Sequence, residues 1–484
     1  MDVDEIPLQE TTIGRTVAAR SAASGESACT LLGDGREAWL HRVALIEMAE
    51  RSIDLQYYIY ERDASGLALM YRALLAADRG VRVRVLLDDS ALSTDDLALA
   101  ALAAHSKIEV RVFNAYRNRL RSTRVFELLV DFQRLQRRMH QKLLVVDGAA
   151  AISGGRNIGD NYFDADRETN FEDVDLLVQG KAAAESRRSF DDYWNSPFAV
   201  PAAALVAVQP DAEKLEAGRR LLATSFQRAT GGEEKFQAAI APVLAELRSS
   251  GDAIWAPVRV LADSPQKVDP DSNLGSPLLD EIQLLMAEAR SEVLLASAYL
   301  VPRKEGTRVL RETREAGVRV AVVTNSLAAT DVPVVHAGYI KYRHRMLEHD
   351  IELYEYRPSH DLPRLKGEKK RERSRASLHT KSLVVDRRLA WIGSFNLDPR
   401  SALLNTELAF VVDSPAIAAK LADRITRSMA PERAWRLALG PHGLQWTGIV
   451  GGAEVTRYAD PNTSLFMRSG VKALSFLPGI DNLL

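Results

Sequence analysis

Two histidines in this chain carry the same company. His140 is followed two residues later by Lys142 and then by Leu143-Leu144-Val145-Val146-Asp147; His379 is followed by Lys381 and Ser382-Leu383-Val384-Val385-Asp386. Each run then reaches an asparagine at one common offset, in Gly154-Gly155-Arg156-Asn157 and in Gly393-Ser394-Phe395-Asn396. The residue types point to phosphoryl transfer. One imidazole can attack phosphorus while a second protonates the leaving alcohol. Two ammonium groups and two carboxamides are suitable fixed donors for the charge that gathers on the equatorial oxygens. No cluster of metal-ligand residue types accompanies the motif, so the expected site contains no metal.

The spacing prescribes the elements that hold these groups. A histidine and a lysine two apart on an extended segment face the same side, and the residue between them faces away. The apolar runs Leu143 to Val146 and Leu383 to Val385 read as buried strands. Around them the whole chain repeats. Ile53-Asp54-Leu55-Gln56-Tyr57-Tyr58 matches Val293-Leu294-Leu295-Ala296-Ser297-Ala298, and each follows an amphipathic helix, with Trp39, Leu40, Val43 and Ile46 as the buried stripe of the first. Arg79-Gly80-Val81-Arg82-Val83 matches Ala316-Gly317-Val318-Arg319-Val320, where a helix ends at a glycine and a strand begins. Ile108 to Phe113 matches Ile351 to Tyr356. Alternating strands and helices in both halves predict an α/β class, with each half a sheet covered by helices. The two histidines then converge on one pocket if the halves pack about a pseudo-twofold axis.

The expected division is an N-terminal extension (1–35), a first repeat (36–200), a helical connector (201–255), a second repeat (256–430) and a C-terminal tail (431–484). A length of 484 residues fits more than one core. Hydrophobic content of 46% and charged content of 26% are ordinary for a globular protein. The formal net charge is -2, so a global basic field for nucleic acid is lacking. Cys29 is the single cysteine, which precludes an internal disulfide and suits a reducing compartment. The acidic start Met1 to Glu5 does not read as a signal peptide, and no apolar run reaches the length of a spanning helix.

The paired motif resembles the phospholipase D superfamily with its doubled HKD signature, over about residues 40 to 430. That resemblance implies two phospholipase D-like α/β sandwich repeats, no cofactor, and a covalent phosphohistidine. It implies His140 as nucleophile and His379 as general acid, an order that the symmetry of the sequence leaves open. It also implies that Asp147 and Asp386 support the fold while a downstream acid orients each histidine. Aligning Asp173 to Val178 with Glu407 to Val412 nominates Asp173 in the first copy and Glu407 in the second, with Asp175 or Glu168 as alternatives to Asp173. Asp54 to Ile59, Thr330 to Tyr339, Gly393 to Ser401 and Leu474 to Ile480 are similar to bacterial cardiolipin synthases, particularly the C type. This closer resemblance implies phosphatidyl transfer to phosphatidylglycerol or a related alcohol, with phosphatidylethanolamine a further lipid substrate. It implies a bacterial enzyme peripheral to the cytoplasmic side of the inner membrane.

His336 and Tyr339, within that shared segment, are expected to touch a headgroup; a structural role for His336 is the competing reading. Arg117, Arg119, Arg121, Arg124, Arg134, Arg137 and Arg138 precede the first motif, and Arg364, Lys366, Lys369, Lys370, Arg371, Arg373 and Arg375 the second. Such runs are solvated loops or grips for anionic lipid. The tail from Thr463 mixes Leu465, Phe466, Met467, Val471, Leu474, Phe476 and Leu477 with Arg468 and Lys472, which suits either an interfacial membrane contact or packing on the domain. Two alternative functions remain. One is a phospholipase D or nuclease-like phosphodiesterase that passes the same intermediate to water; the other is a membrane scaffold without turnover, which the six intact motif residues disfavour.

Overall fold

The computed structural model describes residues 8–89, 101–117, 127, 130–205, 211–249, 251, 253–358 and 375–477. The chain divides into two compact units: Met1–Ala165 with Asp175–Leu274 and Leu404–Phe410, and Asp166–Val174 with Gly275–Leu403 and Val411–Leu484. Two short segments therefore leave the sequence repeat in which they lie. One of them contains Asp173 and the other Glu407.

In the first unit, helices α1 (Thr12–Ser24), α2 (Gly35–Met48) and α3 (Ala64–Asp78) alternate with strands β1 (Ser27–Leu32), β2 (Ser52–Tyr57), β3 (Arg82–Asp88), β4 (Ile108–Phe113), β5 (Lys142–Val146) and β6 (Ala150–Gly154). β7 (Thr169–Glu172) belongs to the other unit, and β8 (Asp175–Gly180), β9 (Ala199–Pro201), β10 (Ile254–Ala256) and β11 (Val258–Ala262) follow. The main sheet has the order β10-β1-β8-β6-β5-β2-β3-β4-β9. Only β2, β3 and β4 run parallel, with α3 as the crossover from β2 to β3, while β5 and β6 return antiparallel. β2 is buried at every position and β5 likewise, as expected for strands covered on both faces. Asp34 caps α2 through the Glu37 amide at 3.0 Å, and α3 is closed by Gly80 at φ +97°, where a side chain would be strained.

Helices α4 (Lys181–Trp194), α5 (Ala212–Thr230) and α6 (Glu233–Ser249) complete this unit. Phe226, Phe236 and Ile240 of the last two bury against Val43 of α2 and Ala68 of α3. Arg72 ties the same layer together through Glu47 at 2.6 Å and Glu233 at 2.8 Å. The region read as a connector is thus a helical cover on α2 and α3.

The second unit repeats the plan with α7 (Pro277–Glu288), α8 (Arg303–Glu315), α9 (Pro333–Glu348), α10 (Pro399–Leu403), α11 (Pro415–Ser428) and α12 (Leu465–Ser475). Its strands are β12 (Glu292–Ser297), β13 (Arg319–Asn325), β14 (Glu352–Tyr356), β15 (Arg375–Leu378), β16 (Lys381–Val385), β17 (Leu389–Gly393), β18 (Leu408–Asp413), β19 (Ala434–Gly440), β20 (Gly443–Val450) and β21 (Ala453–Arg457). β12, β13 and β14 are parallel and β16 pairs antiparallel with β12, in the arrangement of β2 to β5. The register matches as well: Tyr57 lies opposite Lys142, and Ser297 opposite Lys381. The expected α/β duplication is what the chain forms. The tail adds an antiparallel ribbon of β19 to β21 beside β14, then α12, whose Met467, Val471 and Leu474 pack near Val335 and Ile340 of α9. No helix among the described residues is long and apolar enough to cross a membrane.

Candidate active site

Each motif histidine stands two residues before the start of a wholly buried strand, at the place where its backbone is pinned by a segment from the other sequence repeat. The His140 amide donates to the Thr406 carbonyl at 2.9 Å, and the His379 amide to the Glu172 carbonyl at 2.9 Å. β7 extends this second clamp by pairing in parallel with β15. His140 is 8% exposed and His379 6%, so both rings are held by packing.

Glu407 and Asp173 each lie against a motif histidine, but each against the one in the opposite copy. Glu407 Oε2 is 2.9 Å from His140 Nδ1, and Asp173 Oδ2 is 2.7 Å from His379 Nδ1. The same-copy pairing expected from the alignment is corrected by the exchange of the two segments between units, which a linear alignment does not register. Asp173 is 1% and Glu407 0% exposed. A buried carboxylate at Nδ1 fixes the tautomer, so that Nδ1 carries the proton and Nε2 becomes the reactive nitrogen. Of the alternatives, Asp175 is taken by Arg42 at 2.9 Å and Arg156 at 3.3 Å, and Glu168 is exposed.

Glu407 is itself held tightly. Its amide donates to Asp263 at 3.0 Å and its carbonyl accepts from Gln141 at 3.1 Å, while Asp263 is paired with buried Lys267 at 2.8 Å. Gln141, the residue between His140 and Lys142, points away from them toward Gln56 and Tyr193, at 2.6 and 2.8 Å. That is the alternation the spacing predicts. Nothing in the sequence pattern marks Asp263, Lys267 or Gln56; they come from separate elements and only the folded chain gathers them.

Lys142 and Lys381 are buried, and each ammonium returns to the carbonyl of its own histidine, His140 and His379 respectively. Aromatic faces steady the groups: Tyr58 lies edge-on to His140 with ring centres 5.0 Å apart, and Phe171 lies 5.1 Å from His379. Lys142 also sits 5.3 Å from the Tyr58 ring centre. The asparagines differ. Asn157 Oδ1 accepts the Ile59 amide at 3.1 Å and its Nδ2 donates to Tyr162 at 3.0 Å. Asn396 is 3% exposed, its backbone N–H donates to Ser401, and its Oδ1 has no hydrogen-bond partner among the described residues.

Asp147 and Asp386 lie away from this chemistry, in the turn after each strand, at φ +55° and +53°. Asp147 accepts the amides of Glu50, Arg51 and Ser52 at 3.0, 2.8 and 2.9 Å; Asp386 accepts those of Arg290, Ser291 and Glu292 at 2.9, 2.7 and 3.0 Å. Burial pushes the Asp147 carboxyl up. For Asp386, burial is outweighed by its donors from Glu292, Ser291 and Arg290, which pull it down.

His336 and Tyr339 are 4% and 2% exposed, inside the second unit and not on a surface open to a headgroup. Their rings meet edge to face, with centres 5.2 Å apart, beside a network in which Arg343 reaches Asp460 at 2.7 Å and Glu355 at 3.3 Å. Burial raises Glu355, whereas Asp460, though also buried, is held well below the ordinary carboxylate value by His336 and Arg343. His336, Glu355 and Asp460 place potential ligand atoms within 4.8 Å of one another, but Arg343 already supplies the countercharge there. The network ties the tail to α9. Arg134 is paired with Asp131 at 2.6 Å and Arg138 with Asp88 at 3.5 Å, so part of the first basic run is internal. Arg119, Arg121, Arg124 and the run Arg364 to Arg373 lie outside the described residues.

Comparison with known proteins agrees with this geometry. Residues 43–194 and 282–429 match the family model described as cardiolipin synthase, PLD-like domain. Cardiolipin synthase C of Escherichia coli is 37% identical over 91% of this chain and 93% of its own length, and an uncharacterized protein of Helicobacter pylori is 36% identical over 91% and 87%. Phosphatidylserine synthase of Haemophilus influenzae shares the fold, with a TM-score of 0.55 at 14% identity over 86% of this chain and 91% of that one. With both sequence repeats matched by the family model and nearly the whole length matched by a named relative, the chain belongs to the cardiolipin synthase family of phospholipase D-like phosphatidyltransferases.

Proposed function

We propose that this enzyme is a cardiolipin synthase, which moves a phosphatidyl group from one phospholipid to the glycerol hydroxyl of phosphatidylglycerol through a phosphohistidine. The observation that carries the reading is the pair of buried carboxylates on Nδ1 of His140 and His379, which reserves Nε2 of each ring for chemistry. In the first half-reaction His140 Nε2 bonds to phosphorus, the bond to the donor's headgroup oxygen breaks, and His379 gives that oxygen its proton. In the second, His379 takes the proton of the acceptor hydroxyl, the hydroxyl oxygen bonds to phosphorus, and the bond to His140 breaks. Lys142, Lys381, Asn157 and Asn396 stabilise the charge on the phosphoryl oxygens. Membership of the family and the doubled motif support one shared site for both histidines. The donor is phosphatidylglycerol or phosphatidylethanolamine.

The enzyme works from the cytoplasmic face of the bacterial inner membrane as a peripheral protein. Support comes from α12 and the residues just after it: Leu465, Phe466 and Phe476 are 72%, 88% and 75% exposed, on an element with Arg468 and Lys472 and no acid.

Purified enzyme is incubated with labelled phosphatidylglycerol, alone and with phosphatidylethanolamine, and the products are separated. Labelled cardiolipin is the expected product. Phosphatidic acid alone would make the enzyme a hydrolase, and no conversion of either lipid would refute the assignment.

A further inference from the structure

We propose that a cavity in the second unit holds one acyl chain of the phospholipid substrate; the inference rests on the phosphatidyl-transfer reading above. The cavity measures about 720 Å³, inside the range of ~300–1,000 Å³ typical of small-molecule sites. Ile282 and Met286 of α7, Val309 and Leu310 of α8, and Phe395 and Leu397 form its apolar wall. Phe395 and Leu397 flank Asn396, whose buried Oδ1 lacks a partner among the described residues. The loop that supplies a motif residue is therefore also a wall of the cavity.

Its charged lining is Arg303, Lys304, Glu305 and Asp398, of which Glu305 is paired with Arg308 and Asp398 accepts the Ser401 amide. Arg303 and Lys304 line it at the start of α8, and neither has an acidic partner within ion-pair distance among the described residues. Arg303 holds φ +55°, a conformation that costs a residue with a side chain about 1–2 kcal/mol and is found where a site dictates it. An apolar wall beside two cations that lack acidic partners among the described residues fits a glycerophospholipid, with hydrocarbon against the wall and phosphate at the cations.

The first unit is built differently at the equivalent place. Counted from Tyr57 and Ser297, which occupy the same register opposite Lys142 and Lys381, Asp63 corresponds to Arg303. Counted from Asn157 and Asn396, Asp160 corresponds to Pro399. Asp63 caps α3 through the Gly66 amide at 3.0 Å and accepts the Asp160 amide at 2.5 Å, while Asp160 accepts the Ser65 amide at 2.7 Å. These bonds staple the start of α3 to the Asn157 loop. Arg303 and Pro399 cannot make them, since one is cationic and the other has no side-chain acceptor. In addition, α5 and α6 cover α2 and α3 in the first unit, where α7 and α8 border the cavity in the second.

The test fills the cavity. Ala402 and Val309 line it and are half-buried, so Ala402→Trp and Val309→Trp are each prepared in the full chain. Binding of cis-parinaric acid is read by fluorescence, and kcat/KM is measured on dioleoyl and dihexanoyl phosphatidylglycerol. Each variant is expected to weaken parinaric acid binding about tenfold, the equivalent of roughly two methylenes left in water, and to lower the dioleoyl-to-dihexanoyl ratio of kcat/KM by a similar factor. Unaltered probe binding, or equal loss on both lipids, would overturn the proposal. If one tryptophan prevents folding, as judged by thermal unfolding, the other and Met286→Phe decide. A wild-type chain that binds the probe in a tryptophan-sensitive way yet converts no phospholipid would leave the cavity standing and refute the transferase reading instead.

Discussion

Asn157 and Asn396 occupy the same position in two copies of one motif, yet their side chains are held differently. Both oxygen and nitrogen of the Asn157 amide have partners inside the first unit, whereas Asn396 Oδ1 is buried with none among the described residues. The histidines beside them show no such divergence: each has a clamped backbone and a buried carboxylate on Nδ1. The contrast separates what the reaction requires twice from what it requires once. A reactive imidazole must have a defined tautomer wherever it acts, so both copies keep the same frame. The loops that carry the asparagines are free to differ, and the one that holds Asn396 also forms a wall of the proposed acyl cavity.

The sharpest way to break the comparison is to remove each histidine in turn. His140→Ala and His379→Ala should each lower kcat by about 10³-fold or more, as loss of a nucleophile or its acid does. With labelled lipid, the variant lacking the nucleophile carries no covalent label, while the other retains it; label on both, or full activity in either, would end the shared-site mechanism. Next in size are the crossed acids. Glu407→Gln and Asp173→Asn should each cost about 10–100-fold in kcat and shift one limb of the pH–rate profile, with little change in KM. Because Glu407 faces His140, its variant should move the same limb as a conservative change at His140; movement of the other limb would contradict the crossed pairing.

Membrane contact should respond more modestly. Phe466→Asp or Phe476→Asp is expected to reduce sedimentation with phosphatidylglycerol vesicles by about tenfold, within the worth of one buried phenyl group. Equal sedimentation of variant and wild type would remove α12 from the interface. Smaller again is the staple: Asp63→Ala should cost about 1 kcal/mol, as loss of an N-cap does, while Arg303→Ala should leave thermal unfolding within about 0.5 kcal/mol of wild type.

The smallest effect has opposite signs in the two units. The folded value of Asp386 is lowered, so its contribution is present above the unfolded pKa of about 3.9 and is lost as pH falls through the folded value. That of Asp147 is raised, so it favours the fold below about 3.9 and loses that contribution as pH rises through the folded value. Unfolding midpoints at pH 4 and pH 7 should therefore differ less in Asp386→Asn and more in Asp147→Asn than in wild type, by about 2–4 °C per kcal/mol. Shifts of one sign in both variants would refute the contrast.

Much of the molecule was legible in advance because its signals are local and doubled. A histidine and lysine two apart before an apolar run dictate a buried strand with both side chains on one face, and the structure has that strand twice. Glycines at Gly80 and Gly317 end helices because their φ of +97° and +89° suits no other residue well. Asp147 and Asp386 could be read as supports, but their six amide donors come from the turn before β2 and β12, far off in sequence. His336 and Tyr339 misled because a motif shared among relatives says that a residue matters without saying which way it faces. Their side chains turn inward, against Glu355, Asp460 and Arg343.

From the order of residues alone follow the duplication, the α/β class and the six polar groups suited to phosphorus, since these depend on periodicity and on chemistry that each residue carries with it. The tertiary structure decided which carboxylate serves which histidine, that the connector is a cover for α2 and α3, and that the start of α3 is stapled to the Asn157 loop while a cavity lies beside Asn396. Those outcomes turn on segments exchanged between units and on charges such as Asp63 and Arg303, whose effect exists only once distant parts of the chain lie within hydrogen-bonding distance.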